Sequence, residues 1–499
     1  MRRRHAIALS AALLLTAGTV ASAARGSSPS LLEGYQLTHL GLGQHTSYAQ
    51  VPSTGSMGVT PGTRCDRGSH PETGRQGRAP LKDYASGRAA KGYTCNLVTI
   101  GHEGNSGGFQ VHRYVDKAGH ECGFYDGTLV FPTNEPNSPG GVVVVDMKNP
   151  SKPVRTAVLS SIAMKTPHES FRLNTKRGLL AAVAGSPFTQ VGMVDIWDAS
   201  ADCRHPVWRS SLPLGILGHE GAFSPDGMTY WASTTADVGL SAIDLTNPAV
   251  PQLLMHSMTI ATHGLSVSDD GNRLYLADVN TGVTQNYVSE ITHGGGGMRI
   301  LDASPIQHRV AGTLDLKEIG YVTWPEVTIP QSTIPITVKG KRYLVEFDEY
   351  DSNVLSYKAD ENVGGVRIID ISNEKKPKVI SRIRLAVWER AARATDQQDD
   401  PGASDGTAGY AAHYCSVPQR HDPGILACSM IVSGMRVFDI RDVLRPREVA
   451  YANHPSISAG GRAMSAPAFV PARREIWYAD GNTGFWVERL SKAAWPTAH

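Results

Sequence analysis

The chain has 499 residues, and its 48 basic and 46 acidic side chains give a formal net charge of only +2 at pH 7. This balance excludes the strongly basic surface that binds nucleic acid or an anionic membrane. Hydrophobic residues make up 41% of the chain, and 51 glycines and 30 prolines favour many short strands joined by turns. Such a length is compatible with one long all-β repeat domain.

Residues 1–24 have the pattern of a secretory signal peptide. Three arginines at positions 2 to 4 precede an apolar stretch from position 6 to about position 17, and Ala21 and Ala23 offer small residues for cleavage. No later stretch of the sequence reaches the ~20 apolar residues of a membrane helix. We therefore expect an exported protein with no membrane span: secreted, periplasmic or held at a cell surface.

Residues 25–93 are predicted to form an irregular leader. They are rich in glycine, serine, proline and basic residues and show no sustained hydrophobic period, which favours a segment that wraps on the surface or is partly disordered. The six cysteines of the chain favour disulfide bonds in an exported protein. Cys415 and Cys428 flank a predicted hairpin turn, and we expect them to be bonded. The spacing leaves four cysteines unassigned: Cys65, Cys95, Cys122 and Cys203.

Residues 94–499 are built from copies of one short strand pattern. The best copy, at 364–370, is a β-branched run that starts with two glycines and ends with Asp370 before a turn. Five good copies and two weak ones end at Asp146, Asp198, Asp244, Asp302, Asp370, Asp439 and Arg489. We interpret the aspartates as residues that bond the backbone of the following turn. Repetition of this kind predicts a seven-bladed β-propeller.

Each blade is predicted to contain four antiparallel strands. The unit at 219–260 shows four strand patterns separated by the turn residues Ser224, Pro225, Asp226 and Gly227 and by a later Asn247-Pro248 turn. The seventh unit stops after its third strand, at 485–490. We predict that residues 96–100 supply its fourth strand, which would close the ring and protect its edges. Helix is expected only in the leader and in an insertion at 388–409.

Two further insertions interrupt the repeats, at 278–297 and 348–364. Both join a second strand to a third, whereas the insertion at 388–409 joins two blades. In an up-and-down blade these connections emerge on the same face of the ring, and long loops on a rigid scaffold are common binding sites. The insertions therefore predict a loop-rich binding face.

The repeat resembles that of a known family. Gly364-Gly365-Val366-Arg367-Ile368-Ile369-Asp370, followed by Ile371, Ser372 and Pro377, is similar to the repeat of the LVIVD family of bacterial exported β-propeller proteins. The resemblance covers roughly residues 95 to 490. It implies a surface or extracellular location, and it implies no particular reaction.

Histidine recurs at the entrance to successive blades. The recurring position holds His168, His219, His263, Glu326, His413 and Ser465, with His102 or His112 as the candidate in blade one. Because each first strand starts at the mouth of the central channel, these side chains are predicted to ring that opening. Imidazoles with a carboxylate are the ligands that zinc, copper or iron requires. The alternative is that each histidine bonds a backbone carbonyl and joins two blades.

Two functions are compatible with these patterns. The first is a monomeric binding module that recognises a protein or small-molecule ligand on its loop-rich channel face. The alternative is a metal-dependent enzyme, with copper, zinc or iron held at the channel mouth by His168, His219, His263, Glu326 and His413. The acidic run at Glu346, Asp348, Glu349 and Asp351 is interpreted as a solvated loop, with a calcium site as its alternative.

Overall fold

The computed structural model describes residues 55–127, 140–185, 192–215, 218–233, 239–257, 260, 262–278, 296–324, 329–349, 365–398, 400, 409–455 and 461–495. Among these residues, no helix is long and apolar enough to cross a membrane. The predicted signal peptide at 1–24 lies outside the described residues.

The described strands form seven antiparallel sheets arranged as the blades of a propeller. The chain first forms β1 (Tyr93–Cys95) and β2 (Leu97–Glu103). Blade one contains β3 (Val111–Val115), β4 (Glu121–Asp126), β5 (Val142–Asp146) and β6 (Val154–Leu159). Blade two contains β7 (Arg172–Asn174), β8 (Leu179–Val183), β9 (Gly192–Asp198) and β10 (Val207–Gly215). Blade three contains β11 (Gly221–Phe223), β12 (Thr229–Ser233), β13 (Leu240–Asp244) and β14 (Gln252–Ser257).

The remaining blades follow in chain order. Blade four contains β15 (Leu265–Val267), β16 (Arg273–Asp278), β17 (Gly297–Asp302) and β18 (Lys317–Thr323). Blade five contains β19 (Ile329–Val338), β20 (Lys341–Glu349), β21 (Val366–Asp370) and β22 (Lys378–Ile383). Blade six contains β23 (Cys415–Ser416), β24 (Ile425–Ser429), β25 (Met435–Asp439) and β26 (Arg447–Asn453). Blade seven contains β27 (Ala468–Val470), β28 (Glu475–Asp480) and β29 (Gly484–Leu490). The prediction of seven blades with four-stranded antiparallel sheets is confirmed.

The N-terminal strands complete the last two blades. Strand β2 pairs antiparallel with β29, with Leu97 opposite Leu490 and Glu103 opposite Phe485. It is the outer strand of blade seven and lies where the sequence places residues 96–100. Strand β1 pairs with β26 and adds a fifth strand to blade six. Both ends of the repeat region therefore meet within one sheet.

The hydrophobic core lies between neighbouring blades. In β5, Val142 and Val144 pack into the cluster shared with blade two, whereas Val143 and Val145 pack into the cluster shared with blade seven. All four are fully buried. Alternate residues of a strand point to opposite faces of its sheet, and here both faces are covered. This explains why the third strands are mostly apolar, as in β5, although some carry one buried charged residue, such as Arg367 in β21 and Arg436 in β25.

Helical turns are short and occur in the leader and in connections. The α-helices are α1 (Leu81–Ala85), α2 (Ile162–Lys165) and α3 (Ser304–Gln307). Single 3₁₀ turns occur at Ala89–Lys91, Ala386–Trp388 and Pro471–Arg473, and a π-helical turn at Ala392–Asp396. The prediction that helix is confined to the leader and the insertion is wrong for α2, α3 and the Pro471–Arg473 turn. In α3 and that turn, a proline in the first helical positions fixes the backbone for one turn.

The described part of the leader lies across blades five and six. The backbone N–H of Ser56 donates to the carbonyl of Leu444 at 2.8 Å. Farther along, Glu72 joins Glu448 in contacting the guanidinium of Arg436, which is fully buried. The leader therefore supplies one of the two carboxylates that neutralise a buried charge of blade six.

Three disulfide bonds are present, and they include the predicted Cys415–Cys428 pair. The other bonds are Cys65–Cys95 and Cys122–Cys203. Cys415 lies directly opposite Cys428 in the β23–β24 ladder. The Cys65–Cys95 bond attaches the leader to β1, and Cys122–Cys203 joins blade one to blade two.

Removing the Cys415–Cys428 bond should destabilise the fold by about 3 kcal/mol, because the bond closes a loop with a sequence separation of 13. Urea unfolding of the Cys415→Ser, Cys428→Ser double variant measures this loss. The Cys65→Ser, Cys95→Ser variant is the matched control, and its longer loop predicts a slightly larger loss. Unchanged stability of the first variant would contradict the prediction.

Candidate metal centre

His219, His263 and His413 occupy equivalent positions at the start of blades three, four and six. In each, the backbone N–H donates to a carbonyl at the end of the blade's second strand, at 2.8–3.0 Å. The residues that flank each histidine in the sequence predict this equivalence. The three side chains therefore reach the same end of the central channel.

In blade two, the equivalent position is occupied by Glu169 instead of His168. When the register of β7 with β8 is compared with that of β11 with β12, Glu169 of blade two is the counterpart of His219 of blade three. His168 precedes it with a positive φ of 49°. Its ring lies beside that of His219, with the centroids 4.2 Å apart. Blade two thus contributes the carboxylate of Glu169, and His168 lies close by, with donor atoms of His168, Glu169 and His219 all within 4.8 Å of one another.

The remaining residues predicted for the site are not among the side chains that the structure brings together. Glu326 lies outside the described residues, and in blade five Gln331 precedes the paired residue Ser332 and donates its amide to Glu169. His102 lies on β2, where its Nε2 contacts the carbonyl of Thr483 at 2.6 Å. His112 contacts the carbonyl of Phe171 at 3.1 Å, and burial lowers the pKa of His112 to about 4. Neither candidate from blade one joins the cluster.

Five side chains converge at this end of the channel: Glu169, His219, His263, Glu349 and His413. One carboxylate oxygen of Glu169 lies 3.1 Å from His219 Nε2 and 3.7 Å from His263 Nε2. The other lies 3.2 Å from His413 Nε2. Glu349 lies 3.3 Å from His263 Nε2 and 3.2 Å from His413 Nε2. The Nε2 atoms of His219 and His263 are 2.7 Å apart.

The orientation of two imidazoles is fixed by backbone carbonyls of the next blade. His263 Nδ1 lies 2.8 Å from the carbonyl oxygen of Pro330, and His413 Nδ1 lies 2.6 Å from that of Met464. A carbonyl only accepts, so Nδ1 carries the proton and Nε2 faces the cluster. This is the arrangement by which proteins orient a metal-binding histidine. The same contacts join neighbouring blades, which is the role that the alternative interpretation gives to these histidines.

The cluster is buried, and its charges are coupled. Glu169, His263 and His413 have relative exposures of 1%, 2% and 0%. Burial raises the pKa of Glu169, but His219 and the other histidines outweigh it and hold this pKa well below its usual value. Burial lowers the pKa of His413, but its hydrogen bonds to Glu169 and Glu349 raise it to about 9. Without a metal ion, His413 is therefore an imidazolium between two carboxyl groups.

The acidic run at 346–351 is not a solvated loop. Strand β20 continues to Glu349, so the run alternates within a buried strand. Glu346 and Asp348 each bind Arg367 at 2.8 Å, and the next residue, Glu349, enters the histidine cluster. The interpretation as a solvated loop is wrong because the buried strand contains three of the four acidic residues of the run. Asp351 lies outside the described residues.

Glu169 and Glu349 belong to the cluster but are not among the residues predicted from the sequence. The signal for Glu169 is the His-Glu pair in Pro167-His168-Glu169, which recurs as His219-Glu220. A shift of one residue decides which member of such a pair enters the channel, and only the strand register reveals it. The sequence around Glu349 gives no comparable signal, because the residue comes from a second strand.

The metal-free protein should lose stability as the pH rises from 6.5 to 9. Burial raises the pKa values of Glu72, Asp126 and Glu220 to about 7, and carboxylates raise that of His413 to about 9. In this window the folded state binds more protons than the unfolded state, so raising the pH favours unfolding. Three buried histidines have lowered pKa values and titrate below this window: His112, His168 and His263.

Thermal unfolding in the presence of a chelator measures this dependence. The melting temperature should fall between pH 6.5 and pH 9, and the His413→Gln variant should show a shallower fall over the upper part of that range. A melting temperature that stays constant or rises across the window would contradict the assignment of these protons.

No protein-family model matches the chain, and no curated protein matches it. Its similarity to solved structures is at the level of the fold. Hydrazine synthase of Kuenenia stuttgartiensis is 13% identical with a TM-score of 0.47, over 79% of this chain and 97% of that chain. The periplasmic gluconolactonase PpgL of Pseudomonas aeruginosa is 14% identical with a TM-score of 0.46, over 80% and 93%. A protein from Lactobacillus plantarum is 12% identical with a TM-score of 0.48, over 73% and 90%.

Proposed function

We propose that this propeller binds a divalent first-row transition-metal ion at one end of its channel, where the ion acts on a small molecule. The five ligands would be Glu169, His219, His263, Glu349 and His413. The observation that carries the proposal is the spacing of their donor atoms, 2.7–3.7 Å between neighbours. Ligands that lie about 2.1 Å from one ion are separated by about 3.0–3.4 Å, as geometry requires.

Hydrogen bonding alone gives a weaker account of the cluster. The Nε2 atoms of His219 and His263 lie 2.7 Å apart, so either a proton carried by one of them or a cation must lie between them. The two glutamates bring a formal charge of −2 into a buried site, and one divalent ion neutralises it. The ion would also replace the protons that the histidines hold without it.

The donor set narrows the choice of ion. Three imidazoles with two carboxylates suit zinc, copper, iron, manganese, cobalt or nickel in the divalent state. All six cysteines are in disulfides, so no thiolate is available to favour copper(I). When bound, such an ion polarises an oxygen atom of a ligand or lowers the pKa of a bound water. The chain's own residues hold the ion and orient the three imidazoles.

Binding through the long loops remains a separate prediction, since the insertions at 278–297 and 348–364 lie largely outside the described residues. Membership of the LVIVD family and export from the cell likewise remain predictions. A channel-facing metal centre is compatible with all three. It adds a defined chemical group to a propeller that would otherwise be a binding scaffold only.

Metal analysis of protein purified without an affinity tag tests the proposal. We expect about one equivalent of a first-row metal per chain, removed by a chelator and restored by adding that metal back. The matched control is His120→Gln, because Asp116, His120 and Asp202 form the other described His/carboxylate group outside the channel. Asp116 already accepts backbone N–H groups there, so this variant should keep its ion. Purified protein that neither contains nor takes up any of these metals would overturn the proposal.

A further inference from the structure

The first two strands of blade five are interrupted by a β-bulge at the level of the metal centre. Strand β19 pairs with β20 in regular order from its hairpin back to Ser332, which lies opposite Phe347. Pro330 lies opposite Asp348, the next residue of β20, so Gln331 is an extra residue in the ladder. A bulge bends its strand and redirects the extra side chain, and bulges are common next to functional sites.

The backbone of the bulge contacts the part of the centre that blade four supplies. The carbonyl oxygen of Pro330 lies 2.8 Å from Nδ1 of His263 and accepts its proton. A Cβ atom on Gly264, the residue after His263, would lie only 2.2 Å from the carbonyl oxygen of Gln331. The bulge can therefore approach blade four this closely because residue 264 has no side chain.

The side chain of Gln331 links blade five to blades two and six. It is fully buried, and its amide nitrogen Nε2 donates to Oε2 of Glu169 and, at 3.0 Å, to the hydroxyl oxygen of Tyr414. Oε2 of Glu169 is also the oxygen that lies 3.1 Å from Nε2 of His219. A carboxylate oxygen has two lone pairs, so the bond from Gln331 leaves one of them for an ion.

Glu169 determines which way the amide of Gln331 points. The amide oxygen Oε1 is buried and has no hydrogen-bond partner among the described residues. Turning the amide over would let Oε1 accept from the hydroxyl of Tyr414, but it would also place Oε1 against the carboxylate of Glu169, where two acceptors repel. Buried polar atoms are normally hydrogen-bonded, so the contact with Glu169 takes priority over the bond that Oε1 lacks.

We infer that Gln331 is a positioning residue of the metal centre, directed to Glu169 by the bulge in β19. Its hydrogen bond holds the carboxylate with Oε2 towards His219 and Oε1 towards His413. Blade five can use a glutamine at the entrance to its first strand because Glu349, on its second strand, is the ligand from this blade. This inference deepens the proposed function by naming the residue that orients its central carboxylate, and it rests on that function.

Replacing Gln331 with methionine tests the inference, because methionine keeps the length of the side chain and removes both N–H donors. We expect Gln331→Met to weaken binding of the ion about tenfold or more, since loss of a partner of a metal ligand typically costs about 10–100-fold in affinity. Competition with a fluorescent chelator measures this loss for the ion that the purified protein contains. The visible absorption of the cobalt(II)-substituted protein should also change, because it depends on the geometry of the ligands.

Gln110→Met is the matched control. Gln110 is likewise a buried glutamine at the entrance to a first strand, with 1% exposure, but its Nε2 has no hydrogen-bond partner among the described residues. This variant should therefore keep the affinity and the cobalt(II) spectrum of the wild type. If Gln331→Met does not fold, Gln331→Asn replaces it, because asparagine keeps the amide but is too short to reach Glu169.

The outcomes separate a positioning role from a structural one. Wild-type affinity in the Gln331 variant would overturn the inference, and so would an equal loss in Gln110→Met. A lower melting temperature of the chelated protein, with affinity and spectrum unchanged, would show that Gln331 only packs the channel wall and would also overturn it. Wild-type protein that takes up no first-row ion would instead overturn the proposed function, and the inference with it.

Discussion

Replacing Glu169 with glutamine should weaken metal binding by at least about a hundredfold. Glu169 lies within 3.1–3.7 Å of three imidazoles, so it is the carboxylate with the most contacts in the cluster. The amide keeps the shape of the side chain but removes the negative charge, and its NH₂ group cannot coordinate a cation. Loss of an outer partner of a metal ligand typically costs 10–100-fold in affinity, and a direct ligand costs more.

Competition with a fluorescent chelator measures this effect. The matched control is His168→Asn one residue earlier, because asparagine tolerates the positive φ of 49° at that position. A donor atom of His168 lies within 4.8 Å of those of Glu169 and His219, whereas Glu169 lies within 3.1–3.7 Å of three imidazoles, so we expect a smaller loss than from Glu169→Gln. If His168→Asn abolished binding while Glu169→Gln retained it, the centre would have to be placed on the outer side of His219.

The fold could be predicted from the sequence because the third strand of each blade has a recognisable residue pattern. The third strands are buried on both faces, so they read as mostly apolar runs with a glycine near the start and, in six of the seven repeats, a turn-forming aspartate at the end. Asp146, Asp244 and Asp370 each accept the backbone N–H two residues later at 2.8 Å, as the sequence indicates. The number of blades follows from counting these runs. The helical turns in the connections were missed because one turn leaves no period in the sequence.

The metal centre could be predicted only in part. His219, His263 and His413 share one position in their repeats, and this position can be recognised in the amino-acid sequence. Glu169 depends on a register one residue different from that of the neighbouring blade, and Glu349 reaches the channel from a second strand. Buried carboxylates such as Glu349 look like solvated acidic residues in a sequence, because burial depends on where the strand ends. The repeat thus predicts the position of the site, whereas strand register decides which side chains enter it.

The largest loss of stability is expected when Arg367 is replaced with methionine. Its guanidinium is fully buried, binds Glu346 and Asp348 at 2.8 Å each, and lies over the ring of Trp324 with 4.0 Å to the centroid. Methionine leaves two carboxyl groups in a buried strand without a counter-charge. Breaking a buried ion pair from one side typically costs about 3–5 kcal/mol, and urea unfolding at pH 8 should show a loss of this size.

A surface arginine of the same blade and the pH dependence separate lost charge from lost packing. Arg342 binds Glu374 at 2.7 Å but is half exposed, so Arg342→Met should cost less than about 1 kcal/mol. Burial raises the pKa values of Glu346 and Asp348, and without Arg367 both should rise further. A raised folded-state pKa means that the folded variant takes up protons as the pH falls, so its deficit relative to the wild type should shrink between pH 8 and pH 5.5. A deficit that is independent of pH, or equal to that of Arg342→Met, would show that the two carboxyl groups do not depend on Arg367 for their charge balance.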